Sequence, residues 1–353
     1  MSRFFSARYA SLVPYVPGEQ PRDMQYIKLN TNESPFPPSK AVQAAIAAEA
    51  GKLQLYSDPE CTDLIAAAAD AFGVPKSRIV MTNGSDEVLN FAFMAFADEA
   101  HPLAFPDITY GFYPVFAELN RIPYTEIPLK ADFTVDPRDY YDLHRTVVIA
   151  NPNAPTGICM KPDAIEAILQ HNRDSVVIID EAYVDIGGES VIPLTAQYDN
   201  LLVTQTFSKS RSMAGARLGF GIGHEALIAD LNTIRFSTNP YNINRMTGAA
   251  GAAALRNPAY DRAHCDTIIE NRAFTAAALR ARGFEVLDSC ANFVFARLPG
   301  TDGGALYRAL KKRGILVRHF DRDRISDFNR ITIGTRAQMD ALLAAIDAIR
   351  AEF

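Results

Sequence analysis

Continuous apolar runs separated by helix-length segments constrain the fold of this chain more than any other feature of its sequence. The runs are RIVM (78–81), TVVIA (146–150), VVIID (176–180), LLVTQTF (201–207) and LGFGIG (218–223). Strands that are apolar without interruption are buried on both faces, and sheets covered by helices on both faces are mainly parallel. The sequence therefore predicts an α/β domain with a mainly parallel central sheet over residues 41–255.

The segments on either side of this domain differ from it in character. Residues 1–40 are rich in proline and polar residues, which predicts an extended arm that packs on a smaller domain or on a partner subunit. After residue 255 a helical stretch precedes the apolar runs FEVL (284–287), NFVFARL (292–298), GILVRHF (314–320) and RITIG (330–334). Thr335 and Gln338 have the spacing of a capping box and predict a last helix. Because a chain of 353 residues tends to split into two domains, we predict a smaller α+β domain over residues 256–353.

Composition and charge argue against several function classes. The formal net charge is −6 and the basic residues are scattered, which disfavours a nucleic-acid surface and favours a small-molecule ligand. The cysteines (Cys61, Cys159, Cys265 and Cys290) form no CxxC pair and the histidines have no ligand spacing, so neither a disulfide framework nor a metal site is predicted. No run reaches the roughly 18 apolar residues of a membrane span, and residues 1–15 lack the apolar segment of a signal peptide. We therefore expect a cytoplasmic protein that does not enter the membrane.

The first candidate for chemistry is Asp180, the acid at the end of the run VVIID. Ligands of open parallel sheets bind at the C-terminal edge of the strands, and a carboxylate buried there needs a cationic partner. A protonated pyridine nitrogen is one such partner, and its protonation makes the ring an electron sink. Tyr183, three residues later, could donate to the phenolic oxygen of the same ring. The competing interpretation is that Asp180 only caps the turn after the strand.

The next apolar run leads to Lys209, within TFSKSRSMAGAR. Because one helix-length connection separates this run from the Asp180 strand, both side chains can project from the same sheet edge. A desolvated lysine near other cations has a lowered pKa, and its free amine can form a Schiff base. Thr206, Ser208 and Arg217 supply hydroxyls and a guanidinium suited to a phosphate. A lysine alone indicates no more than a surface charge, but the combination predicts pyridoxal 5′-phosphate as the cofactor.

A third element, TNGSDE, lies between the run RIVM and an apolar helical segment. Glycine permits a tight approach of the backbone, and the start of a helix offers unpaired N–H groups to an anion. Gly84, Ser85 and Asp86 are therefore predicted to bind the phosphate. An ordinary Asn-Gly turn that caps a core helix explains the motif equally well.

Taken in order, these and other motifs resemble those of one enzyme family. The motifs are LNTNESPFPP, LYSDPE, TNGSDE, PDITYGFY, NPNAPTG, IIDEAY, TFSKSRSMAGARLGF, GILVRHF and RITIGTR. They are similar to those of fold-type I aminotransferases and resemble in particular the histidinol-phosphate aminotransferase family, from about Tyr15 to the C-terminus. The resemblance implies a fold-type I pyridoxal-phosphate transferase with a large domain around a mainly parallel sheet and a smaller α+β domain.

The resemblance also implies roles for residues of the cofactor site. Lys209 would hold the cofactor covalently, Asp180 would contact the pyridine nitrogen and Tyr183 would lie near the ring oxygen. Tyr110 of PDITYGFY would stack on the ring. The phosphate would be bound by Gly84, Ser85, Asp86, Ser208 and Arg217. Tyr56 of LYSDPE would reach the phosphate of a second subunit, which implies a homodimer with shared active sites; isolated tyrosines are otherwise usually part of a core.

For the substrate, the resemblance implies two arginines. Arg330 of RITIGTR would bind the carboxylate of the amino-acid donor, and Arg318 of GILVRHF would help to bind a substrate phosphate. A planar guanidinium suits both groups because it meets their oxygens in pairs. Tyr15, Asn32 and Tyr241 occupy matching positions around the substrate.

The chain departs from the family pattern in NPNAPTG. Ala154 occupies the position where the family usually has an asparagine that contacts the ring oxygen of the cofactor. Asn153, one position earlier, points differently in an extended segment and could substitute only after a shift of the loop. We therefore expect Tyr183 to provide more of this interaction. The Ala154–Pro155 bond is a candidate for the cis form.

The resemblance implies transfer of the amino group of L-histidinol phosphate to 2-oxoglutarate, giving imidazole acetol phosphate and L-glutamate in histidine biosynthesis. Because the pocket is rich in tyrosine, an aromatic amino-acid aminotransferase is a close alternative. A further alternative is a decarboxylase resembling threonine-phosphate decarboxylase, which would release the substrate carboxylate instead of retaining it. A non-enzymatic regulator is disfavoured because Lys209 and Asp180 are both present.

Overall fold

The structure, a computed structural model, describes residues 2–350 as strands alternating with helices. The strands are β1 (Ile27–Lys28), β2 (Ile79–Thr82), β3 (Leu103–Pro106), β4 (Tyr124–Ile127), β5 (Thr146–Ala150), β6 (Val177–Asp180), β7 (Leu201–Thr206), β8 (Gly219–Gly223), β9 (Glu285–Val286), β10 (Phe293–Arg297), β11 (Ile315–Leu316), β12 (Arg318–His319) and β13 (Asn329–Thr332). The α-helices are α1 (Lys40–Ala50), α2 (Thr62–Phe72), α3 (Ser85–Phe96), α4 (Phe112–Asn120), α5 (Pro162–His171), α6 (Glu225–Thr238), α7 (Arg245–Arg256), α8 (Pro258–Arg280), α9 (Gly303–Lys312) and α10 (Arg336–Arg350). In this described part of the chain, no helix combines the length and apolar character needed to cross a membrane.

The largest sheet has seven strands in the order β2-β8-β7-β6-β5-β3-β4. From β7 to β4 neighbouring strands are parallel, whereas β8 runs antiparallel to both β2 and β7. Alternate residues of β6 face opposite sides, since Val177 and Ile179 belong to one cluster of buried apolar side chains and Ile178 belongs to another. Apolar packing on both faces explains the unbroken apolar runs. The predicted α/β class with a mainly parallel sheet is confirmed.

The apolar runs do not reveal β3 and β4, which complete one side of this sheet. β3 has only four residues and ends in Pro106. β4 is the edge strand, and its central residues Thr125 and Glu126 are exposed. An edge strand with one uncovered side needs no continuous apolar sequence, so its pattern is too weak to be recognised.

The C-terminal part forms an antiparallel sheet in the order β12-β13-β10-β9. Its last helix, α10, begins with the predicted capping box: the Thr335 N–H donates to Gln338 Oε1 at 2.8 Å, and the Gln338 N–H donates to Thr335 Oγ1 at 3.4 Å. The buried face of α10 consists of Met339, Leu342, Leu343, Ile346 and Ile349.

The N-terminal segment is extended over most of its length, with a short 3-10 helix at Ala7–Tyr9. Within it, β1 pairs in parallel with β11, with Ile27 opposite Ile315, so this segment contacts the C-terminal part of the chain. The division into an arm over 1–40, a large domain over 41–255 and a small domain over 256–353 stays a prediction.

Candidate active site

A cavity of about 340 Å³ lies where β5, β6 and β7 end. The ends of these strands bring Ala150, Asp180 and Thr206 to its wall. The structure also places the following predicted residues around it: Ser85, Asp86, Tyr110, Tyr183, Ser208, Lys209 and Arg217. The cavity thus occupies the C-terminal edge of the parallel strands, where ligands of such sheets bind.

Asp180 is buried at the end of β6 and is only partly satisfied by protein groups. Its Oδ2 accepts a hydrogen bond from the Tyr113 hydroxyl at 2.9 Å. Its Oδ1 is buried and has no hydrogen-bond partner among residues 2–350. Burial raises the pKa of this carboxyl to about 6. A buried acceptor oxygen of this kind fits a cationic N–H group such as a pyridinium nitrogen.

Tyr113 was not predicted from the sequence. It lies in the first turn of α4, is fully buried, and follows the predicted ring-stacking residue Tyr110 by three positions. A tyrosine in an apolar helix is usually explained as core, and its hydroxyl then needs a buried partner. The need for a buried hydrogen-bond partner was the signal in the sequence that Tyr113 has a further role. The partner, Asp180, is 67 positions away, so the sequence does not identify it.

Lys209 lies between the first cavity and a second one. Its Nζ donates a hydrogen bond to the Thr31 carbonyl oxygen at 3.3 Å and lies 5.8 Å from the centre of the Tyr183 ring. Burial, followed by the positive charge of Arg330, lowers the pKa of this amine to about 8. A larger fraction of the amine is therefore neutral near pH 7 than in an ordinary lysine, which favours Schiff-base chemistry.

The start of α3 approaches β8 and Arg217 so closely that two glycines are required. Gly84 has a φ of 84°, and a Cβ there would lie 2.6 Å from Arg217 Nη2. A Cβ on Gly219 would lie 2.3 Å from the backbone nitrogen of Ser85. The first N–H groups of a helix have no partner within the helix, so this first turn next to the cavity suits an anion.

Arg217 and two hydroxyls lie on the side of the cavity that suits an anion. Arg217 Nη1 donates to Ser208 Oγ at 3.4 Å, and Thr206 Oγ1 donates to the same oxygen at 3.0 Å. Asp86 accepts from Arg217 Nη2 at 2.9 Å and from the Tyr110 hydroxyl at 2.8 Å. The Asp86 carboxylate therefore orients Arg217 and Tyr110, and only its backbone N–H, in the first turn of α3, is suited to a phosphate.

A second cavity, of about 440 Å³, adjoins the first. Thr31, Tyr110, Ala154, Tyr183 and Lys209 line both cavities. The predicted substrate residues Tyr15, Asn32, Arg318 and Arg330 line the second one, as does Arg322, which sequence reasoning did not select. The two cavities therefore meet at Lys209.

Two arginines face each other across strands at the second cavity. Arg318 of β12 and Arg330 of β13 are directly opposite in the antiparallel register. Arg330 Nη2 donates to the Asn30 carbonyl oxygen at 2.9 Å, while its buried Nε has no hydrogen-bond partner in the described part of the chain. Burial lowers the pKa of Arg330. Like charges opposite each other are destabilising in a sheet, so this pair favours an anionic ligand.

Asn32 connects the C-terminal sheet to Tyr183. Its Nδ2 donates to the Tyr183 hydroxyl oxygen at 2.9 Å, and its Oδ1 accepts from Thr332 Oγ1 at 2.9 Å. Since the Tyr183 oxygen accepts from Asn32, the hydroxyl proton can point elsewhere, toward the cavity. Tyr15 stacks on Phe112 with ring centres 4.1 Å apart and forms an aromatic wall.

Asn153, predicted to contact the cofactor, does not line the first cavity. It is buried, its Oδ1 accepts from Thr109 Oγ1 at 2.8 Å and its Nδ2 donates to the Ile108 carbonyl oxygen at 2.9 Å. The structure therefore does not support the predicted replacement of the missing asparagine contact by Asn153, because its amide already binds a neighbouring loop. Ala154 lines both cavities, and the Ala154–Pro155 bond is cis.

Tyr56 and Tyr241 lie together on the surface. Their rings stack at 4.5 Å, and they are 78% and 42% exposed. Among residues 2–350, neither is one of those that line the two cavities. Within one chain, Tyr241 thus contacts Tyr56 rather than the predicted substrate position.

Comparison with known proteins identifies the family. Residues 24–346 match the family model described as aminotransferase class I and II. The histidinol-phosphate aminotransferase 1 of Bordetella parapertussis is 49% identical over 353 residues, and the histidinol-phosphate aminotransferase 2 of Dechloromonas aromatica is 49% identical over 354 residues; each alignment covers 99% of both chains.

Solved structures show the same fold. The crystal structure of histidinol-phosphate aminotransferase from Sinorhizobium meliloti in complex with pyridoxal-5′-phosphate has a TM-score of 0.89 and 24% identity, covering 100% of this chain and 99% of that one. The predicted fold-type I architecture and the resemblance noted in the motifs are confirmed. On the family model and on relatives matched along nearly their whole length, this chain belongs to the class I and II aminotransferase family.

Proposed function

We propose that this chain is a pyridoxal-phosphate-dependent aminotransferase that transfers the amino group of L-histidinol phosphate to 2-oxoglutarate, a step of histidine biosynthesis. The observation that carries the proposal is the junction of the two cavities at Lys209. Asp180 and Arg217 lie on one side of this amine, and Arg318 and Arg330 lie on the other. The names of the two relatives at 49% identity support this choice of substrate.

The residues of the first cavity fit pyridoxal 5′-phosphate. Asp180 Oδ1 offers a buried acceptor for the ring nitrogen, and the first turn of α3 with Arg217 offers donors for the phosphate. When bound, the cofactor supplies an electron sink for negative charge that develops on the substrate carbon. Asp180 has a carboxyl pKa of about 6, so it is mainly ionised at pH 7 and keeps the nitrogen of the ring protonated.

Lys209 holds the cofactor and moves the proton. Because its pKa is lowered to about 8, its Nζ is partly neutral near pH 7 and can accept a proton as a general base. The Thr31 carbonyl oxygen accepts a hydrogen bond from Nζ and keeps it at the junction of the cavities. From that position one amine can take a proton from a substrate in the second cavity and deliver it to the first.

Arg330 and Arg318 select the substrates. The buried Nε of Arg330 suits a carboxylate such as that of glutamate, because a guanidinium binds it through two parallel hydrogen bonds. Arg318 is half-buried and donates to the carbonyl oxygens of Val16 and Pro17 at 3.1 and 3.3 Å. Its position opposite Arg330 supports a role in binding a substrate phosphate.

We also propose a homodimer with shared sites. Tyr56 is 78% exposed and carries a stacked partner, Tyr241, which is an unusual state for two large rings on a free surface. Contact with the phosphate side of the site in a second subunit would bury both rings. A cytoplasmic location stays a prediction.

An aromatic amino-acid aminotransferase is the second candidate. The specific observation in its favour is an aromatic wall: Tyr15 and Tyr110 line the second cavity with ring centres 6.5 Å apart, and Phe112 packs against both rings. Such a wall accepts a phenyl ring as well as an imidazole, so aromatic surface alone does not distinguish the two donors.

A panel of amino donors tests the proposal. Purified enzyme is supplied with 2-oxoglutarate and with histidinol phosphate, phenylalanine or phosphothreonine, and kcat/KM is measured from glutamate formation. We expect histidinol phosphate to exceed phenylalanine by about 100-fold, because a site with unpaired cationic donors rejects a substrate that lacks the matching anion. A higher kcat/KM for phenylalanine would support the second candidate, and carbon dioxide release from phosphothreonine without glutamate would indicate a decarboxylase.

A further inference from the structure

Two partly exposed free cysteines, Cys159 and Cys290, lie on neighbouring segments near the proposed site. Cys159 follows the loop that contains Ala154, and Cys290 precedes β10. The Cys290 N–H donates to the Gly157 carbonyl oxygen at 2.8 Å, which holds the two segments together. The two thiol side chains also interact, since each shifts the pKa of the other. The two sulfurs are therefore already neighbours in the folded chain.

A fixed positive charge lies beside this pair. Arg272 Nη1 donates to the carbonyl oxygens of Ala291 at 2.6 Å and Ile186 at 2.7 Å, so its guanidinium is held next to Cys290. The hydrogen bond from Cys159 and the charge of Arg272 both lower the pKa of the Cys290 thiol. The same hydrogen bond, together with burial, raises the pKa of Cys159. These opposite directions favour Cys290 as the more readily deprotonated thiol of the pair.

The other cysteines have the opposite character. Burial raises the pKa of Cys61 to about 11 and that of Cys265 to about 12. Since the thiolate is the nucleophile, these two thiols are expected to be inert near neutral pH. Cys61 is partly exposed, as Cys290 is, and offers a matched control.

We propose that Cys290 is a peroxide-reactive thiolate that forms a reversible disulfide with Cys159. The Cys290 sulfur attacks hydrogen peroxide; an S–O bond forms as the O–O bond breaks, and the hydroxide that leaves becomes water by taking up a proton. The Cys159 sulfur then attacks the sulfenic acid; the S–S bond forms, and the hydroxyl group leaves with the Cys159 proton as a second water. Both sulfurs are oxidised and the two peroxide oxygens are reduced. A dithiol reverses the reaction by thiol–disulfide exchange.

The disulfide would join two segments that support the substrate side of the site. Ala154, Ala291 and Phe293 form one buried cluster against Tyr183, and the Arg330 guanidinium lies 5.3 Å from the centre of the Phe293 ring. A covalent link beside this cluster restrains the loop and β10 relative to each other. Misplacement of a binding group by a fraction of an ångström lowers the rate of an enzyme reaction. We therefore expect transaminase activity to fall about tenfold on oxidation. This effect rests on the proposed function.

Peptide mapping of the cofactor-loaded, full-length enzyme tests the chemistry. After treatment with one equivalent of hydrogen peroxide, we expect a peptide pair joined through Cys159 and Cys290, with the loss of two hydrogens and recovery on adding dithiothreitol. In Cys159→Ser, Cys290 should stop at the sulfenic acid and be trapped by dimedone. Cys61→Ser should behave as the wild type. At pH 7, iodoacetamide should modify Cys290 about tenfold faster than Cys61 in the reduced enzyme.

The results separate this inference from the proposed function. The disulfide is refuted if peroxide gives no linked peptide, and the reactive thiolate is refuted if Cys290 is alkylated no faster than Cys61. The effect of the disulfide on activity is refuted if the linked enzyme turns over as fast as the reduced enzyme. It is also refuted if peroxide inactivates Cys159→Ser, and dithiothreitol reactivates it, to the same extent as the wild type. If the linked peptide forms in a protein with no transaminase activity before oxidation, the proposed function fails and the disulfide is supported.

Discussion

The two cavities that meet at Lys209 are built in different ways. The first, which we propose binds the cofactor and call the cofactor cavity, lies at the ends of three neighbouring strands of one sheet and at the first turn of α3. The second, which we propose binds the amino donor, we call the substrate cavity. The substrate cavity is assembled from distant parts of the chain: Asn32 of the N-terminal segment bonds to Thr332, 300 positions away, and Arg318 bonds to the backbone of residues 16 and 17. The first site is built mainly on the central sheet, with Thr31 of the N-terminal segment at its edge, whereas the second depends on how that segment and the C-terminal sheet meet.

This difference separates two kinds of mutational effect. A change in the cofactor cavity should alter the reaction of every amino donor alike, because all donors use the same cofactor. A change in the substrate cavity should leave cofactor binding intact and discriminate between substrates.

Lys209→Ala should have the largest effect. Without this amine neither the covalent attachment nor the proton transfer is available, so turnover should fall by on the order of 10⁴-fold or more with every donor. The visible absorbance of the attached cofactor should disappear, and borohydride should label no residue at this position. Lys28→Ala, which removes a lysine paired with Glu33 at 2.8 Å, is a control that should keep the absorbance. Undiminished turnover in Lys209→Ala would refute the assignment.

Arg330→Ala should have the next largest effect, confined to the substrate cavity. Removing one partner of a buried charge pair costs about 2–5 kcal/mol, so kcat/KM for glutamate should fall by roughly 30- to 5,000-fold. Single-turnover kinetics with glutamate measure this loss, and titration of the apoenzyme should show an unchanged cofactor affinity. Arg330→Lys keeps the charge but not the two parallel donors and should recover only part of the activity. A parallel loss of cofactor affinity would contradict the separation of the two cavities.

Arg318→Ala should have a smaller and more selective effect. Because Arg318 is half-buried, we expect a loss of about tenfold in kcat/KM for histidinol phosphate and little change for phenylalanine. Arg322→Ala is the matched control, since it removes another positive charge from the lining of the same cavity. Arg318 does not bind the substrate phosphate if Arg318→Ala lowers kcat/KM equally for both donors. The same conclusion follows if Arg318→Ala and Arg322→Ala lower it equally.

The same contrast explains what could be predicted from the sequence. Asp180 ends one buried strand and Lys209 lies three residues after the next, so their common location depends mainly on the order of parallel strands in one sheet. The side chains of Asn153 and Tyr241 lie in loops, and adjacency to a motif does not determine which way a loop side chain points. Tyr113 could not be predicted because its role depends on the hydrogen bond to Asp180, which forms only when distant parts of the chain fold together.

The substrate cavity was predicted through resemblance rather than through spacing. Nothing local in GILVRHF or RITIGTR indicates that Arg318 and Arg330 will be opposite each other, because that requires the register of β12 and β13. The motifs of the family imply the positions of the two arginines in the substrate site, whereas the residue pattern of a single chain does not. The role of Asp86 shows the reverse case: the motif predicted its location, whereas only the structure shows its carboxylate bonding to Arg217 and Tyr110.

Tyr113→Phe should have the smallest effect and is the most specific test of the cofactor cavity. The Tyr113 hydroxyl lowers the pKa of Asp180, which burial raises to about 6, so its removal should raise this pKa further, by up to about one unit for one lost hydrogen bond. The ionised carboxylate binds the cofactor, and affinity should therefore rise with pH through this pKa, at a higher pH in the variant. Affinities of both apoenzymes for pyridoxal 5′-phosphate between pH 5 and pH 8 measure the shift, and the titration of the cofactor itself cancels in their ratio. A few-fold deficit near pH 6.5 that vanishes by pH 8 is the expected result, whereas a constant ratio at every pH would mean that Tyr113 acts through packing alone.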